Sequence, residues 1–467
     1  MGFENEPSGH KSIKRLAESK RVKELLGRYE IISLPQKAED LAPMLADVKP
    51  SGWQPKWILA IDGSFLSHSV QNGYPGAEVG YITISAVLID AAKQRELDKA
   101  RPVNPADFRA TQEPSSIDEV LPGSNVVFSG QVSARASLRA ALMELFREEK
   151  NRLSNEGEGE GKGELLLQTY EALLRHKPKD SGQKQRCPYE DDGECGSDAE
   201  EKLYQLNTGT YVCNCKFARP LFSTDALRIH ESMIPDGPNS TIYTETMQVL
   251  ERLYLINILR WMETHAPAMM GDVAFVMDGP LGVFGHPAWL SQAIVVELGR
   301  LNEKAKSVTG QDILLVGVEK SGAFVEHFER LDNNADGSKG AFPKQRAALL
   351  ADKYIQDRIV FKPNPNNEKR MVYGQYTYFG RKLFYKTKSG AKLVAVTPFY
   401  KPHDRDLTIA QVDQHPRLSD VMSLLDQVVS VRFPNAITPL VEAHAEASIP
   451  MNIGTKILER LASEHIK

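Results

Sequence analysis

The chain has 467 residues, 41% hydrophobic and 25% charged, with 33 Gly, 27 Pro, 4 Cys and a formal net charge of −4. These proportions exclude collagen-like, disulfide-framework and wholly disordered proteins, and the length provides for one enlarged core with insertions or for two or three domain-sized units. The start, MGFENEPSGHKSIKRLAESKR, places charge where a signal peptide needs its apolar run, and no stretch of about 18 apolar residues occurs, so a cytoplasmic chain without a membrane span is expected.

In chain order, residues 1–50 read as an N-terminal segment built on the amphipathic helix SIKRLAESKRVKELLGRY, followed by a Pro-punctuated connection. Residues 51–154 open the core. The apolar run 57–64, WILAIDGS, and the β-branched run 79–90 flank the turn signal QNGYPG and predict a hairpin, with a third strand at 125–130 and a helix at 137–152. Residues 155–219, carrying EGEGEGKGE and EDDGECGSDAEE, read as an acidic insertion rather than core. Helices are expected at 223–233, 243–263 and 287–302, and buried strands at 272–277 and 312–318. Strands alternating with helices after a hairpin predict a mixed α/β sheet covered by helices, with 220–467 completing the core.

Two apolar strands end in Asp-Gly: Asp62 in AIDGS and Asp278 in FVMDGPLG. Glycine lets the backbone turn away while the carboxylate stays fixed, and paired carboxylates suit Mg²⁺ or Mn²⁺, hence metal-assisted phosphodiester chemistry. A third ligand is sought among Glu245, Glu251 and Glu263 on helix 243–263. Its apolar set, Met247, Leu250, Leu253, Tyr254 and Ile258, leaves Glu251 at the edge of the sheet-facing side, against the alternative of an exposed Glu in a surface pair near Arg252. Lys320, just past the ILLVGV strand, is placed to neutralise a phosphate oxygen, or else simply reaches solvent.

AIDGS, the Glu251 helix, VMDGPLG, the strand leading to Glu319-Lys320 and the late TPLVEAHAEASI together resemble the NurA nuclease family, in that order and over nearly the whole chain outside the insertion. The resemblance implies an RNase H-like core, Mn²⁺- or Mg²⁺-dependent DNA cleavage, a homodimer and a HerA-type hexameric ATPase as partner. By its pattern Asp62, Glu251 and Asp278 match the metal-binding acids, and His444 matches a C-terminal histidine that completes the metal shell or shuttles a proton. Many relatives carry a tyrosine just upstream of that histidine, whereas RFPNAITPL has none.

All four cysteines, Cys187, Cys195, Cys213 and Cys215, fall in the insertion. Soft thiolates clustered in a reducing compartment favour structural Zn²⁺, with free or redox-active thiols as the alternative. Residues 361–405 hold ten Lys or Arg against two acids, with nine Phe or Tyr among them. The phrases MVYGQYTYFG and RKLFYKTKSG read as β structure presenting a DNA-tracking groove, with Lys362, Arg370, Arg381, Lys382, Lys386 and Lys388 as its cations, or as an ordinary solvated face.

The reading is a two-metal DNA nuclease working with a HerA-type ATPase in end processing or anti-phage defence. Its rivals are a non-catalytic adaptor of such an ATPase, suggested by the missing tyrosine and by amphipathic termini such as ILERLASEH, and another RNase H-like enzyme such as a strand transferase. There is no GxxxxGK[ST] to support nucleotide hydrolysis by the chain itself.

Overall fold

A computed structural model of the chain describes residues 10–29, 42–70, 76–96, 109–154, 162–178, 184–190, 195, 203–213, 215, 217–333, 338, 340–360, 370–430, 436–448 and 451–466. The N-terminal amphipathic segment is two helices, α1 (His10–Glu18) and α2 (Lys20–Leu26), because Ser19 accepts the Val22 amide as an N-cap and breaks the run. Three long strands follow, β1 (Trp57–Ser69), β2 (Glu78–Asp90) and β3 (Gln112–Pro122), with helix α3 (Ala91–Glu96) after β2. The hairpin is antiparallel, Trp57 opposite Asp90 and Ser69 opposite Glu78. The third strand is not at 125–130, which is turn and coil, but at the polar stretch QEPSSIDEVLP. That strand is the edge of its sheet and leaves most of its length to solvent, so it needs no apolar alternation.

Beyond it lie α4 (Ala134–Arg147), α5 (Leu166–Leu174), two small hairpins, β4 (Lys184–Arg186) with β5 (Leu203–Gln205) and β6 (Thr210–Val212) with β7 (Pro220–Phe222), and the long helix α6 (Ser240–His265). The segment 223–233 forms two short 3₁₀ turns rather than a helix. Then come β8 (Val273–Asp278), α7 (Leu290–Thr309), β9 (Leu314–Glu319), α8 (Ala323–Leu331), β10 (Arg346–Leu349), β11 (Gly380–Lys386), β12 (Lys392–Pro398), α9 (Leu418–Val428), α10 (Thr438–Ala447) and α11 (Met451–His465).

Eight strands form one mixed sheet in the order β10-β11-β12-β9-β8-β1-β2-β3. Its half β3-β2-β1-β8-β9 is RNase H-like: β1, β8 and β9 are parallel neighbours, and β2 runs against both β1 and β3. Central strands covered on both faces read as continuous apolar runs, and alternate residues divide between two cores. Leu59, Ile61, Phe275, Met277 and Leu315 join α4, α5, α6 and α7 in one cluster, while Ile58, Ala60, Ala274, Val276, Val316 and Val318 join α9 and α10 in the other. Helix α5 lies inside the sequence expected to stand apart from the core, yet Leu166, Tyr170 and Leu173 are buried in the first of these clusters. No helix among the described residues is long and apolar enough to cross a membrane.

Candidate active site beside the end of β8

Strands β1 and β8 pair in parallel with Ile61 beside Met277, which sets Asp62 and Asp278 side by side one step further along. Both share the strand parity of Ala60 and Val276, so both turn toward the α9 and α10 side of the sheet. At Gly279 the chain leaves the sheet with φ +72, a conformation that favours glycine. On the same side, Lys320 Nζ from the end of β9 lies 3.0 Å from Asp278 Oδ1, and His444 Nδ1 from α10 lies 2.9 Å from Asp62 Oδ2. The other Asp62 oxygen accepts the Gly63 amide at 2.9 Å.

Burial, and next the charge of Asp278, push the Asp62 carboxyl up to about 6, with partial relief from Lys320 and His444. Asp62 is 3% exposed, whereas the His444 side chain is 56% exposed and borders open solvent. Asp278 Oδ1 is buried and lacks a partner of hydrogen-bonding geometry, the Lys320 contact being one of distance alone. A buried carboxylate oxygen in that state, beside a second carboxylate and an imidazole, is a donor set that a hard divalent cation fits.

Glu251 approaches from the opposite side. Its Oε1 would lie 2.6 Å from a Cβ placed on Gly63, so the glycine is what admits the helix carboxylate against β1. Both Glu251 and Arg252 are buried and paired with each other, so the surface-pair alternative does not hold. Of the other two helix glutamates, Glu245 accepts the Ser232 hydroxyl and the His286 amide, and Glu263 is held by Arg300 at 2.6 and 2.8 Å. Among the described residues, the trio whose ligand atoms all lie within 4.8 Å of one another is Cys187, Cys195 and Cys213; Asp62, Glu251 and Asp278 do not form so tight a group.

Arg252 has a larger place than its sequence context suggests. Its guanidinium donates to the carbonyls of Gly282 and Pro280 and so fixes the loop that follows Asp278. Burial lowers its pKa to about 10, while Asp278 and Asp62 act in the other direction. The signal was an Arg inside VLERLYLINIL, a run so apolar that α6 is buried on nearly every side and any charge within it requires a partner.

Among the described residues the expected cationic groove does not form. MVYGQYTYFG is mostly turn, and RKLFYKTKSG supplies β11, an interior strand between β10 and β12. Arg381, Lys382 and Lys386 are buried: Arg381 donates to the carbonyls of Asp404 and Ile409, Lys382 pairs with Glu319 between the rings of Phe324 and Tyr378, and Lys386 sits 2.6 Å from Asp332. Arg370 is partly exposed and bonded to Asp357 at 2.8 Å, Lys388 is exposed, and Lys362 lies outside the described residues. Cations on a strand covered on both faces pair with acids rather than track a polyanion.

No protein-family model matches the chain, and no curated protein matches it in sequence. Among solved structures, that of the NurA nuclease from Sulfolobus solfataricus aligns over 98% of this chain and 97% of its own at 11% identity, with a TM-score of 0.32. A crystal structure of NurA with manganese aligns over 98% and 99% at 11% identity and a TM-score of 0.27, and one of NurA bound to dAMP and manganese over 94% and 91% at 10% and 0.26.

Proposed function

We propose that this protein is a divalent-metal-dependent nuclease that hydrolyses DNA phosphodiester bonds at the Asp62–Asp278 site. The observation that carries the reading is the meeting of two carboxylates from adjacent parallel strands with His444 and Lys320, brought from two further segments of the chain. Asp62 and Asp278 would hold the cation, and Glu251 would join them on exchanging its Arg252 partner. When bound, the ion supplies Lewis-acid stabilisation of the charge that develops on the phosphate.

The remaining work falls to side chains. With Asp62 ionised and accepting from Nδ1, the second ring nitrogen of His444 is the acceptor, oriented to take a proton from an attacking water. Lys320, 3.0 Å from Asp278, would neutralise a non-bridging phosphate oxygen. Arg252 positions the loop carrying Pro280 and Gly282 and so holds Asp278 in register. DNA as substrate, a homodimer, a HerA-type ATPase as partner, and a role in end processing or defence follow from the sequence resemblance.

The test is digestion of linear DNA with Mn²⁺ or Mg²⁺ by the purified chain and by Asp62→Ala and Asp278→Ala. Loss of cleavage in both variants with unchanged circular dichroism supports the assignment, and undiminished digestion by both removes it. One observation favours a second reading, a non-catalytic adaptor: the Glu251 carboxylate is engaged by Arg252, and the three acids are not drawn into one tight group. A wild-type chain inert with every divalent metal, yet co-eluting with a hexameric ATPase, would favour the adaptor.

A further inference from the structure

Three cysteines, Cys187, Cys195 and Cys213, hold their sulfurs within 4.8 Å of one another although they come from two separate hairpins. Cys187 follows β4 directly and Cys213 follows β6 directly. Each sulfur accepts a hydrogen bond from the backbone amide two residues on, Cys187 from Tyr189 and Cys213 from Cys215, the latter at 3.4 Å. Two such turns, each aiming the amide of residue i+2 at the sulfur of residue i, form a pair of facing knuckles. The Cys187 and Cys213 sulfurs are 3.8 Å apart. A disulfide holds its sulfurs about 2.05 Å apart, whereas zinc–sulfur bonds of about 2.3 Å set the edge of a thiolate tetrahedron at roughly 3.8 Å. Cys195 completes the close trio, and the Cys215 thiol adjoins that of Cys213.

We propose that Cys187, Cys195, Cys213 and Cys215 bind one structural Zn²⁺ as a closed four-thiolate site that docks this module onto the core. Four protein ligands leave no open position, so the ion takes no part in hydrolysis. Docking runs through Tyr189, two residues after Cys187. Its ring lies 4.4 Å from the guanidinium carbon of Arg139 on α4, and its hydroxyl donates to the Pro220 carbonyl that Arg139 also binds. Arg139 is 2% exposed and is held by both oxygens of Asp225 at 2.7 Å. The zinc turn thus closes over a buried ion pair. The module's own apolar cluster is small, little more than Tyr189, Tyr204, Leu221 and the cysteines set against Ala136 of α4, and a metal supplies the cohesion that such a core lacks.

The experiment measures metal content of the full-length chain purified without chelator. One zinc per chain is expected, together with thiols that stay unreactive to a disulfide reagent until the metal is stripped. Cys187→Ser and Cys213→Ser are each expected to lose the zinc. Because those variants can misfold, the stripped wild-type chain is also titrated with Co²⁺, and the intense visible and near-ultraviolet bands of tetrahedral cobalt thiolate are expected. Stripping should open new protease cuts within 184–222 while amide protection of the sheet persists. A chain isolated metal-free with four reactive thiols, a chain with paired disulfides, or zinc retained by both serine variants overturns the proposal. Asp62→Ala is expected to keep its zinc whether or not it cuts DNA, which separates this site from the hydrolytic one.

Discussion

His444 Nδ1 and Asp62 Oδ2 stand 2.9 Å apart across 382 positions of sequence, and that contact ties α10 to the middle of β1. The imidazole is more than half exposed while the carboxylate is almost fully buried, so the pair links the interior to the surface at the point where a phosphate would arrive.

If His444 is the proton acceptor, His444→Gln should lower kcat by about 10²–10⁴-fold with little change in substrate KM. The measurement is steady-state cleavage of a fluorescent duplex, with Asp62→Asn as reference. A kcat within about threefold of wild type would confine His444 to a structural role.

Lys320→Ala removes the cation beside Asp278. A loss of roughly 10²–10³-fold in cleavage is expected, and Lys320→Arg should recover part of it. If alanine and arginine variants both cut like wild type, the lysine merely offsets the charge of Asp278.

Gly63→Ala would bring a methyl group within 2.6 Å of Glu251 Oε1, 2.8 Å of Ile84 Cδ1 and 2.9 Å of Met247 Cγ. Overpacking of this kind costs about 1–3 kcal/mol. Thermal unfolding should fall accordingly, and the cation concentration for half-maximal cleavage should rise because Glu251 is displaced. A drop in stability alone would separate Glu251 from cation binding.

Three buried histidines give folding an acid limb. Burial first, then Arg330 and Arg358, lower His327 to about 4; burial lowers His230 to about 4 and His415 well below its usual range. As pH falls below about 6.5 the unfolded chain takes up these protons while the folded chain refuses them. The stabilisation is therefore complete above pH 6.5 and drains as pH falls toward 4, by roughly 2–3 kcal/mol for each of His327 and His230 at the limit. His327→Phe, which keeps a ring against Phe384, should flatten the slope of urea unfolding free energy between pH 6.5 and 4.5. An unchanged slope would mean that His327 protonates as readily in the fold as outside it.

Asp225→Ala leaves the Arg139 guanidinium buried without its partner. A loss of about 3–5 kcal/mol is expected on urea unfolding. Asp225→Ala paired with Arg139→Met should recover much of it, and a single variant as stable as wild type would show that solvent reaches the pair.

Asp278 was legible because an apolar run ending in Asp-Gly encodes both the burial of the strand and the turn that frees its carboxylate, whereas the turn expected after Asp62 is absent: β1 runs on through Gly63 to Ser69, held by its pairing with β2. The parallel strands 273–278 and 314–319 were legible for the same reason, each being covered on two faces. Strand β3 was not, because an edge strand exposed along most of its length has no continuous apolar face to detect. The cations of β11 were misread because local composition does not say who pairs with whom: the acid that neutralises Lys382 is Glu319, 63 positions away, and that of Lys386 is Asp332, 54 away. Arg252 was hidden for the same reason, since beside the adjacent Glu251 its partners are carbonyls of a loop it does not adjoin in sequence.

The burial of Leu166, Tyr170 and Leu173 on α5 limits how the chain can be trimmed. A shortened protein lacking all of 155–219 would lose a wall of its own interior and expose α6 to water, whereas a cut confined to the stretch beyond residue 178 would spare that wall. The thiol-bearing hairpins are thus a graft seated on Arg139 of α4, while α5 belongs to the tree itself and cannot be pruned with them.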